Sequence, residues 1–570
     1  MSKEQAELRR WLEEVTDPEL SAELLSIRNE EKEVHERFYR SLEFGTGGLR
    51  GELGAGTNRM NIYTVRQASQ GFAAYLLTQD EKPSAAISYD SRHQSDVFAR
   101  ETARVLAANG IKVYLYPHLM PTPALSFAVL DRHCTGGVMV TASHNPARYN
   151  GYKAYAADGA QISGHVAAAV SEEIEKTDIF RDVKLADFEE ALADGRIEYI
   201  GDALIERYYA AVMAQALRPE LGKAAGLRLV YTPLNGSGLV PVMTVLKRMG
   251  HTDITVVPEQ EQPNGDFPTC PYPNPEILEA MQLGLNLCEK LGADLLLATD
   301  PDSDRVGTAV LQNGTPRLIS GNEMGVLLLD YICRTRLELH KMPENPVAVR
   351  SIVSTTMTDA IAAHYGVEMR QVLTGFKYIG EQIAHLEAEG HPERFIFGFE
   401  ESYGYLAGGY VRDKDAVVAS MLTCEMAAWY KGQGKNLGEA LDDLYAQYGF
   451  YFNKVDSYTF PGSDGMEKMA ALMETLRTEL PIAIGGRAVT GHTDYESGIR
   501  YEDGEGKTPT GLPAANVMEF RLGKEGSLVA RPSGTEPKLK FYYSLRAADR
   551  PTAEKAYGEI KASVEDWLGL

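Results

Sequence analysis

Ser143 lies between an apolar run and an Asn-Pro pair, in a segment that reads TASHNP from 141 to 146. Because proline has no backbone donor and disfavours helix in the residue before it, the preceding strand must end here in a turn. Open α/β sheets bind ligands at the carboxyl ends of their strands, so this hydroxyl is a candidate reactive group. A helix cap or turn, a hydrolase nucleophile and a phosphoryl carrier are the alternatives. The glycines of the hydrolase Gly-x-Ser-x-Gly motif are missing here, and the nearby His144 and Lys153 add possible proton carriers.

Three aspartates alternate along a later loop, which also follows an apolar run (LLLAT). They are Asp300, Asp302 and Asp304. Carboxylates this close repel one another unless a cation neutralises them or one pKa rises. A hard divalent ion fits such oxygen ligands, and Mg²⁺ is favoured where phosphate shares the site. A solvated acidic turn is the alternative, whereas a calcium EF-hand is excluded because Arg305 and Leu311 stand where it needs Gly and Glu.

Two further polar loops suit a phosphate and a sugar. Residues 531–537 (RPSGTEP) combine a guanidinium, two hydroxyls and backbone N–H groups around a glycine, which is what a phosphate needs. Glu400 and Ser402 follow the apolar run FIFGF and could accept hydrogen bonds from sugar hydroxyls. Lys414 is either a surface charge or a second proton carrier. The glycine-rich segment 45–51 matches neither the mononucleotide nor the dinucleotide phosphate-binding motif.

Strand-like runs alternate with helical patterns three times along the chain. The first stretch runs from a strand over 84–89 to one over 136–141, and the pattern returns in 227–299 and 347–399. Such alternation predicts mainly parallel strands joined by right-handed crossovers. Amphipathic helices over 3–44 precede these stretches. The three reactive loops each follow the last strand of a stretch, where a sheet would hold them.

The last part of the chain predicts a smaller α+β domain, with four strands and helices over 465–480 and 553–568. The segment 485–511, rich in Gly, Thr and acidic residues, predicts an exposed connection. We therefore predict an α/β protein with three similar domains of mixed or parallel sheet and a C-terminal α+β domain. The predicted bounds are 1–200, 201–318, 319–440 and 441–570.

Composition bounds the class of protein. The chain has 570 residues, of which 44% are hydrophobic and 24% charged, as in ordinary globular proteins. Its formal net charge of −23 disfavours nucleic acid and anionic lipid as partners. No apolar stretch is long enough to span a membrane. Five scattered cysteines without metal or redox spacing predict reduced thiols in a cytoplasmic protein. An anionic substrate would need cations concentrated at the site.

Six segments, taken in order, resemble the motifs of the α-D-phosphohexomutase superfamily. They are 44–51 (FGTGGLRG), 141–146 (TASHNP), 300–305 (DPDSDR), 374–377 (TGFK), 398–402 (GFEES) and 531–537 (RPSGTEP). Each is modest alone, but the ordered set is specific and covers the chain from about Phe44 to the C-terminus. The N-terminal extension and residues 54–59 (GAGTNR) resemble the phosphoglucomutases close to phosphopentomutases.

The resemblance implies a four-domain enzyme with its active site in a central cleft. It implies that Ser143 carries a phosphoryl group and, with Asp300, Asp302 and Asp304, binds Mg²⁺. It implies that sugar hydroxyls are held by Glu400 and Ser402, and the non-transferring phosphate by Arg531, Ser533, Gly534 and Thr535. Further contacts to the bisphosphorylated sugar are implied for Arg50, Asp304, Arg305, Thr374, Gly375 and Lys414.

The implied reaction is the interconversion of glucose 1-phosphate and glucose 6-phosphate through glucose 1,6-bisphosphate, with a phosphosugar as the binding partner and no protein partner indicated. His144, Lys153 and Lys414 are the candidate catalytic proton carriers. Members that also accept mannose often carry a histidine at the position of Gly404, so this loop resembles the glucose form. Pentose and mannose phosphates remain alternative substrates, and a phosphosugar sensor is the non-enzyme alternative. A rival mechanism with Asp300 as nucleophile leaves Ser143 and the 531–537 loop without a role.

Overall fold

The computed structural model of the chain describes residues 2–45, 47–460, 464–503, 506–533 and 538–570. They form two compact units. Unit 1 comprises Met1–Ser320, Ile379–Phe397 and Ser402–Asn436, and unit 2 comprises Gly321–Tyr378, Gly398–Glu401 and Leu437–Leu570. Within the described ranges, no helix combines the length and apolar character that crossing a bilayer requires.

The first part of unit 1 contains three N-terminal helices followed by a six-stranded sheet with helices. Its elements are α1 (Lys3–Glu14), α2 (Pro18–Ile27), α3 (Glu31–Phe38), β1 (Gly48–Glu52), α4 (Ile62–Gln79), β2 (Ser84–Tyr89), α5 (Ser95–Ala108), β3 (Lys112–Leu115), α6 (Thr122–Asp131), β4 (Gly136–Val140), β5 (Tyr149–Ala156), α7 (Gly164–Lys176), α8 (Phe188–Ala193) and β6 (Ile197–Tyr199). The strand order is β1-β5-β4-β2-β3-β6.

This sheet is mixed. Strands β4, β2, β3 and β6 run parallel, whereas β5 pairs antiparallel with both β4 and the edge strand β1. Every residue of β4 is buried, as its GGVMV sequence requires of a central strand. A Cβ on Gly136 would lie 2.8 Å from the Tyr155 carbonyl oxygen, so glycine permits the close pairing of β4 with β5. Strand β5 was not predicted, although it carries Lys153.

The second part of unit 1 repeats the arrangement with a five-stranded sheet. Its elements are α9 (Asp202–Met213), α10 (Leu221–Ala224), β7 (Arg228–Thr232), α11 (Leu239–Arg248), β8 (Asp253–Val256), α12 (Pro258–Glu261), α13 (Leu278–Leu291), β9 (Leu295–Thr299), β10 (Val306–Gln312) and β11 (Thr315–Ile319). The order is β11-β10-β9-β7-β8, with β8, β7 and β9 parallel. Strand β9 is buried throughout and leads directly into the three aspartates.

The third stretch continues the α/β pattern. Its elements are α14 (Gly321–Glu338), β12 (Val347–Ser351), α15 (Met357–Tyr365), β13 (Glu368–Val372), α16 (Phe376–Ala388), β14 (Phe395–Glu400), β15 (Gly404–Leu406), α17 (Ala416–Lys431) and α18 (Leu437–Tyr448). Strands β12 and β13 pair in parallel, as predicted for consecutive strands joined by a helix. The predicted α/β class with additional mixed sheet is confirmed.

The C-terminal part of unit 2 is built on a seven-stranded antiparallel sheet. Its elements are β16 (Phe450–Thr459), α19 (Gly465–Thr478), β17 (Ala483–Ile484), β18 (Arg487–Ala488), β19 (Gly491–Asp494), β20 (Ile499–Glu502), β21 (Gly506–Pro509), β22 (Met518–Arg521), β23 (Gly526–Pro532), β24 (Lys538–Ala547) and α20 (Arg550–Leu568). The order is β16-β24-β23-β22-β19-β20-β21. The prediction of an exposed connection over 485–511 is wrong, because β19, β20 and β21 extend this sheet.

An apolar cluster joins the two parts of unit 2. It consists of Ile352, Val353, Leu373, Tyr495, Val517, Val529 and Tyr542. Three of these side chains come from the α/β stretch and four from the C-terminal part, so the two parts share one buried surface. Burial of apolar area is the dominant favourable term in such association.

Candidate active site

The turn after β4 holds Ser143 in an uncommon conformation. Its φ is +52°, in the left-handed region that residues other than glycine and asparagine rarely adopt. The Ser143 N–H donates to Thr141 Oγ1 at 2.8 Å, and the Asn145 N–H donates to the Ala142 carbonyl at 3.1 Å, which closes the turn. Ser143 is only 4% exposed. A buried hydroxyl on a strained turn is typical of a functional position.

The aspartate loop after β9 folds back on itself. The backbone N–H groups of Asp304 and Arg305 donate to Asp300 Oδ1 at 3.1 and 3.0 Å. Carboxylate oxygens of Asp300, Asp302 and Asp304 lie within 4.8 Å of one another, and all three residues are buried. Ser143 Oγ donates to Asp300 Oδ2 at 3.0 Å. Residues that are 157 positions apart in the sequence therefore form one site.

This acidic cluster has the features of a metal site. Among the described residues, Asp302 Oδ1 and Asp304 Oδ1 are buried without accepting a hydrogen bond. Burial and the neighbouring carboxylates raise the pKa of Asp300 well above its ordinary value. Buried oxygens without donors and mutually repelling carboxylates are what a bound cation would satisfy. The three aspartates could therefore hold a metal ion.

Two lysines balance part of the acidic charge. Lys153 Nζ lies 2.8 Å from Asp302 Oδ2 and 3.6 Å from Asp304 Oδ2. Lys414 Nζ lies 2.8 Å from Asp304 Oδ2. Burial alone would lower the pKa of Lys153, but Asp302 and Asp304 outweigh it and raise that pKa. Burial alone would raise the pKa of Asp302, yet the Lys153 ammonium holds it below its ordinary value.

The loop that carries Lys414 is held by buried carboxylates on both sides. Asp413 accepts from the Tyr155 hydroxyl at 2.8 Å and lies 3.3 Å from Lys414 Nζ. Asp415 caps α17 and accepts from the hydroxyls of Tyr208 and Tyr410 at 3.0 and 2.5 Å. These contacts fix the backbone on either side of the lysine.

His144 contacts the serine directly. Its Nδ1 lies 3.1 Å from Ser143 Oγ. Burial, together with the charges of Arg305 and Arg50, lowers the pKa of His144 well below its ordinary value, so its ring is neutral near pH 7. Arg50 lies on β1, next to the strand that carries Lys153, and Arg305 also pairs with Glu276 at 2.7 Å. The surroundings of the serine are thus rich in cations.

Most of the other predicted site residues lie in unit 2. Glu400 is buried and accepts from the Gly375 N–H at 2.6 Å, and Thr374 Oγ1 beside it is enclosed. Arg531 is in β23, and the Ser533 N–H donates to the Lys538 carbonyl at 2.8 Å across the hairpin. Gly534 and Thr535, and Thr46 of the glycine-rich segment, lie outside the described residues. Ser402 belongs to unit 1.

Unit 1 therefore brings together the serine, the aspartates, both lysines, His144 and Arg305, and unit 2 brings Glu400 together with Thr374 and Gly375. Asp413 and Thr122 were not predicted as site residues. The Thr122 hydroxyl donates to Asp302 Oδ2 at 2.9 Å, and the Thr122 N–H donates to the Asp302 carbonyl at 2.9 Å. The acidic pair flanking Lys414 was a usable signal for Asp413. Thr122 begins a helix far away in sequence, and nothing local marks it.

Three family models match the chain. Those for α/β/α domains I, II and III of phosphoglucomutase/phosphomannomutase match residues 41–180, 206–314 and 320–448. A phosphoglucomutase of Staphylococcus haemolyticus is 38% identical over 89% of this chain and 91% of the relative. One from Staphylococcus epidermidis is 36% identical over 94% and 96%. The open form of parafusin, a phosphoglucomutase from Paramecium, superposes with a TM-score of 0.69 at 17% identity, over 93% and 97%, and shows the same fold.

Proposed function

The chain belongs to the phosphoglucomutase/phosphomannomutase family, and we propose that it is an isomerase that interconverts glucose 1-phosphate and glucose 6-phosphate. The curated relatives that it matches over about nine-tenths of their length are phosphoglucomutases. The observation that carries the proposal is the 3.0 Å contact between Ser143 Oγ and Asp300 in a buried acidic cluster. Neither group would be placed there by packing alone, because burying unpaired carboxylates is costly.

In the proposed route, phospho-Ser143 transfers its phosphoryl group to a sugar hydroxyl. The phosphorus–oxygen bond to Ser143 breaks as the bond to the sugar oxygen forms, which gives glucose 1,6-bisphosphate. The bisphosphate turns over and returns its other phosphoryl group to Ser143. This accounts for the isomerisation without net consumption of phosphate.

Asp300, Asp302, Asp304 and phospho-Ser143 would hold Mg²⁺, which when bound neutralises charge on the transferring group. Lys153 and Lys414 hold two of these carboxylates in place through contacts of 2.8 Å. Their ammonium groups also supply positive charge where a phosphate must enter. Positioning and electrostatics then carry most of the catalysis.

A proton must leave the attacking hydroxyl, and three groups are candidates. His144 is neutral and touches Ser143, so it can accept a proton at Nδ1. Lys153 and Lys414 are the other two, and the raised pKa of Lys153 suits a donor better than an acceptor. Comparing the pH profiles of His144→Gln and Lys414→Met would assign the base.

Further residues are proposed to recognise the substrate. Glu400 and Thr374 in unit 2 would bind sugar hydroxyls, and the same role is proposed for Ser402, which belongs to unit 1. Arg531, Ser533, Gly534 and Thr535 would bind the phosphate that is not transferred. Because Glu400 is buried, a sugar without a hydroxyl in reach of its carboxylate would leave that carboxylate unpaired and would bind weakly.

The position of Gly404 supports glucose over mannose. A Cβ on Gly404 would overlap Cδ of Lys414, the lysine that reaches Asp304. A histidine, which the mannose-accepting members carry there, would displace Lys414. We therefore propose that this chain discriminates between the two epimers.

The decisive experiment compares kcat/KM for the 1-phosphates of glucose, mannose, ribose and deoxyribose, with Mg²⁺ and a trace of the matching bisphosphate. The glucose ester is expected to exceed the others by at least about tenfold, or about 1.4 kcal/mol. A higher value for a pentose ester would assign pentose phosphate instead. Binding of glucose 1-phosphate without Mg²⁺-dependent turnover would identify a sensor.

All five cysteines are buried and free of disulfides. Burial raises the pKa of Cys134 and of Cys270 to about 11, so these thiols stay protonated and unreactive near pH 7. This supports the proposal that the protein works in the reducing cytoplasm.

A further inference from the structure

The Arg92 side chain binds the backbone of the turn that carries Ser143. Arg92 follows β2, and its side chain is fully buried. Nη2 donates to the carbonyls of Ser143, at 2.6 Å, and Asn145, and Nη1 donates to those of Pro146 and Tyr149 at 2.9 and 3.0 Å. One guanidinium therefore satisfies four carbonyls of the chain that leads from the reactive serine into β5.

Asp90 ties the other end of the same turn to this arginine. Its carboxylate accepts from Thr141 Oγ1 at 2.5 Å and from the Arg92 N–H at 3.0 Å, and lies 3.5 Å from Arg92 Nε. Thr141 Oγ1 in turn accepts from the Ser143 N–H. The path from Asp90 thus reaches the serine from its N-terminal side, while Arg92 reaches it from the C-terminal side.

The Phe267 ring packs against the Arg92 guanidinium. The Arg92 Cζ lies 5.0 Å from the centre of this ring, and Phe267 is buried. The approach is close, since a Cβ on Gly265 would lie 2.6 Å from the His93 backbone nitrogen. Arg92 is therefore held between the serine turn and a loop from the second α/β stretch.

Burial of the pair is hard to explain by stability alone. Removing two charges from water costs several kcal/mol, which a buried ion pair recovers only with good geometry and further hydrogen bonds. Here those further bonds go to the turn that keeps Ser143 at φ +52°. Planar, five-donor geometry makes arginine suited to this task and lysine unsuited.

We propose that Arg92, oriented by Asp90, is a positioning residue that holds Ser143 for phosphoryl transfer. This rests on the proposed function, in which Ser143 is the phosphoryl carrier. Arg92 acts through the turn, because its side chain is fully buried and its donors go to backbone carbonyls. Its loss lets the turn relax and moves Oγ away from Asp300, and a misplacement of about 1 Å can cost about 100-fold in rate.

The test uses the full-length protein as wild type, Arg92→Lys and Arg92→Ala. The matched control is Arg66→Lys, since Arg66 is a partly buried arginine of the same α/β stretch that pairs with Glu101 and lies over the ring of Tyr63. Measured are kcat, KM, Tm and the phosphoserine formed after incubation with glucose 1,6-bisphosphate. For Arg92→Lys we expect kcat to fall about 100-fold with KM within about twofold. Added guanidinium should restore part of the kcat of Arg92→Ala.

A kcat of Arg92→Lys equal to that of the control overturns the proposal, as does a parallel change of kcat and KM with no rescue of Arg92→Ala. If neither Arg92 variant folds, Phe267→Leu replaces them, because it removes only the ring under the guanidinium; an unchanged kcat there also overturns it. Absence of phosphoserine in the wild type would instead refute the proposed function itself.

Discussion

Replacing Lys153 by methionine tests the charge balance of the acidic cluster. Methionine keeps the apolar length of the side chain but removes an ammonium 2.8 Å from Asp302 and 3.6 Å from Asp304. At an effective dielectric constant of about 20, these attractions amount to roughly 6 and 5 kcal/mol. The variant no longer pays the desolvation of the ammonium, which offsets part of the loss. Breaking a buried pair on one side leaves a net cost of about 3–5 kcal/mol.

The assay is thermal unfolding in EDTA and in MgCl₂. For a large folding unit, the expected fall in Tm in EDTA is about 5–10 °C. The variant site has one more uncompensated negative charge, so Mg²⁺ should raise the Tm of the variant more than that of the wild type. Lys176→Met is the control, because its Nζ makes contacts of 2.9 and 2.8 Å with Glu172 and Glu173 in solvent, where little stability depends on them. Equal Tm values in EDTA and equal shifts with Mg²⁺ would refute the account of the cluster.

Four further outcomes are expected. Ser143→Ala should abolish turnover and phosphoserine while keeping the wild-type Tm; turnover above roughly 1% of wild type would contradict the role of Ser143. Asp302→Asn keeps the shape of the side chain, so it should lose the Mg²⁺-dependent rise in Tm and at least about 100-fold in kcat, and an unchanged shift would exclude Asp302 as a ligand. Glu400→Gln should lower kcat/KM about tenfold or more without changing phosphorylation of Ser143, and an effect on phosphoserine alone would contradict a sugar-binding role. Burial raises the pKa of Asp415 to about 6, so between about pH 4 and pH 6 the folded state holds a proton that the unfolded state has released. The Tm of the wild type should therefore fall relative to that of Asp415→Asn as the pH rises from about 4 to about 7. A constant difference in Tm would show that the Asp415 carboxyl is not protonated in this range.

Much of the fold was predictable because its strands are continuous apolar runs with clear stops. The predicted strand over 84–89 coincides with β2, and the predicted strand over 136–141 ends one residue beyond β4. Strands without a continuous apolar run were harder to predict. The strand β5 contains Asn150 and Gly151, and its pairing partner β4 is what makes it a strand. Likewise β19–β21 are polar and short, so only their neighbours in the sheet define them.

The chemical groups of the site were predictable to the extent that they sit in unusual local sequences. The serine and aspartate loops each follow a fully buried strand, and both fold as turns with a residue at positive φ. The contacts that support these groups were not predictable, because they join residues that are far apart in the sequence. Thr122 and Asp302 are separated by 180 positions, and Tyr155 and Asp413 by 258. No local pattern encodes such a pair, since either residue alone has many ordinary uses.

The net charge of −23 posed the question of how this chain could bind a phosphate ester. Positive charge is available next to Ser143, as the pKa of His144 indicates. Burial and the charges of Arg305 and Arg50 hold that pKa well below its ordinary value. Cations are therefore concentrated near the serine in a chain whose net charge is negative. Because exposed charges are screened beyond roughly 10 Å, the short-range cations decide binding once a ligand has entered. Affinity for phosphate must then come from contacts inside the site and not from long-range steering.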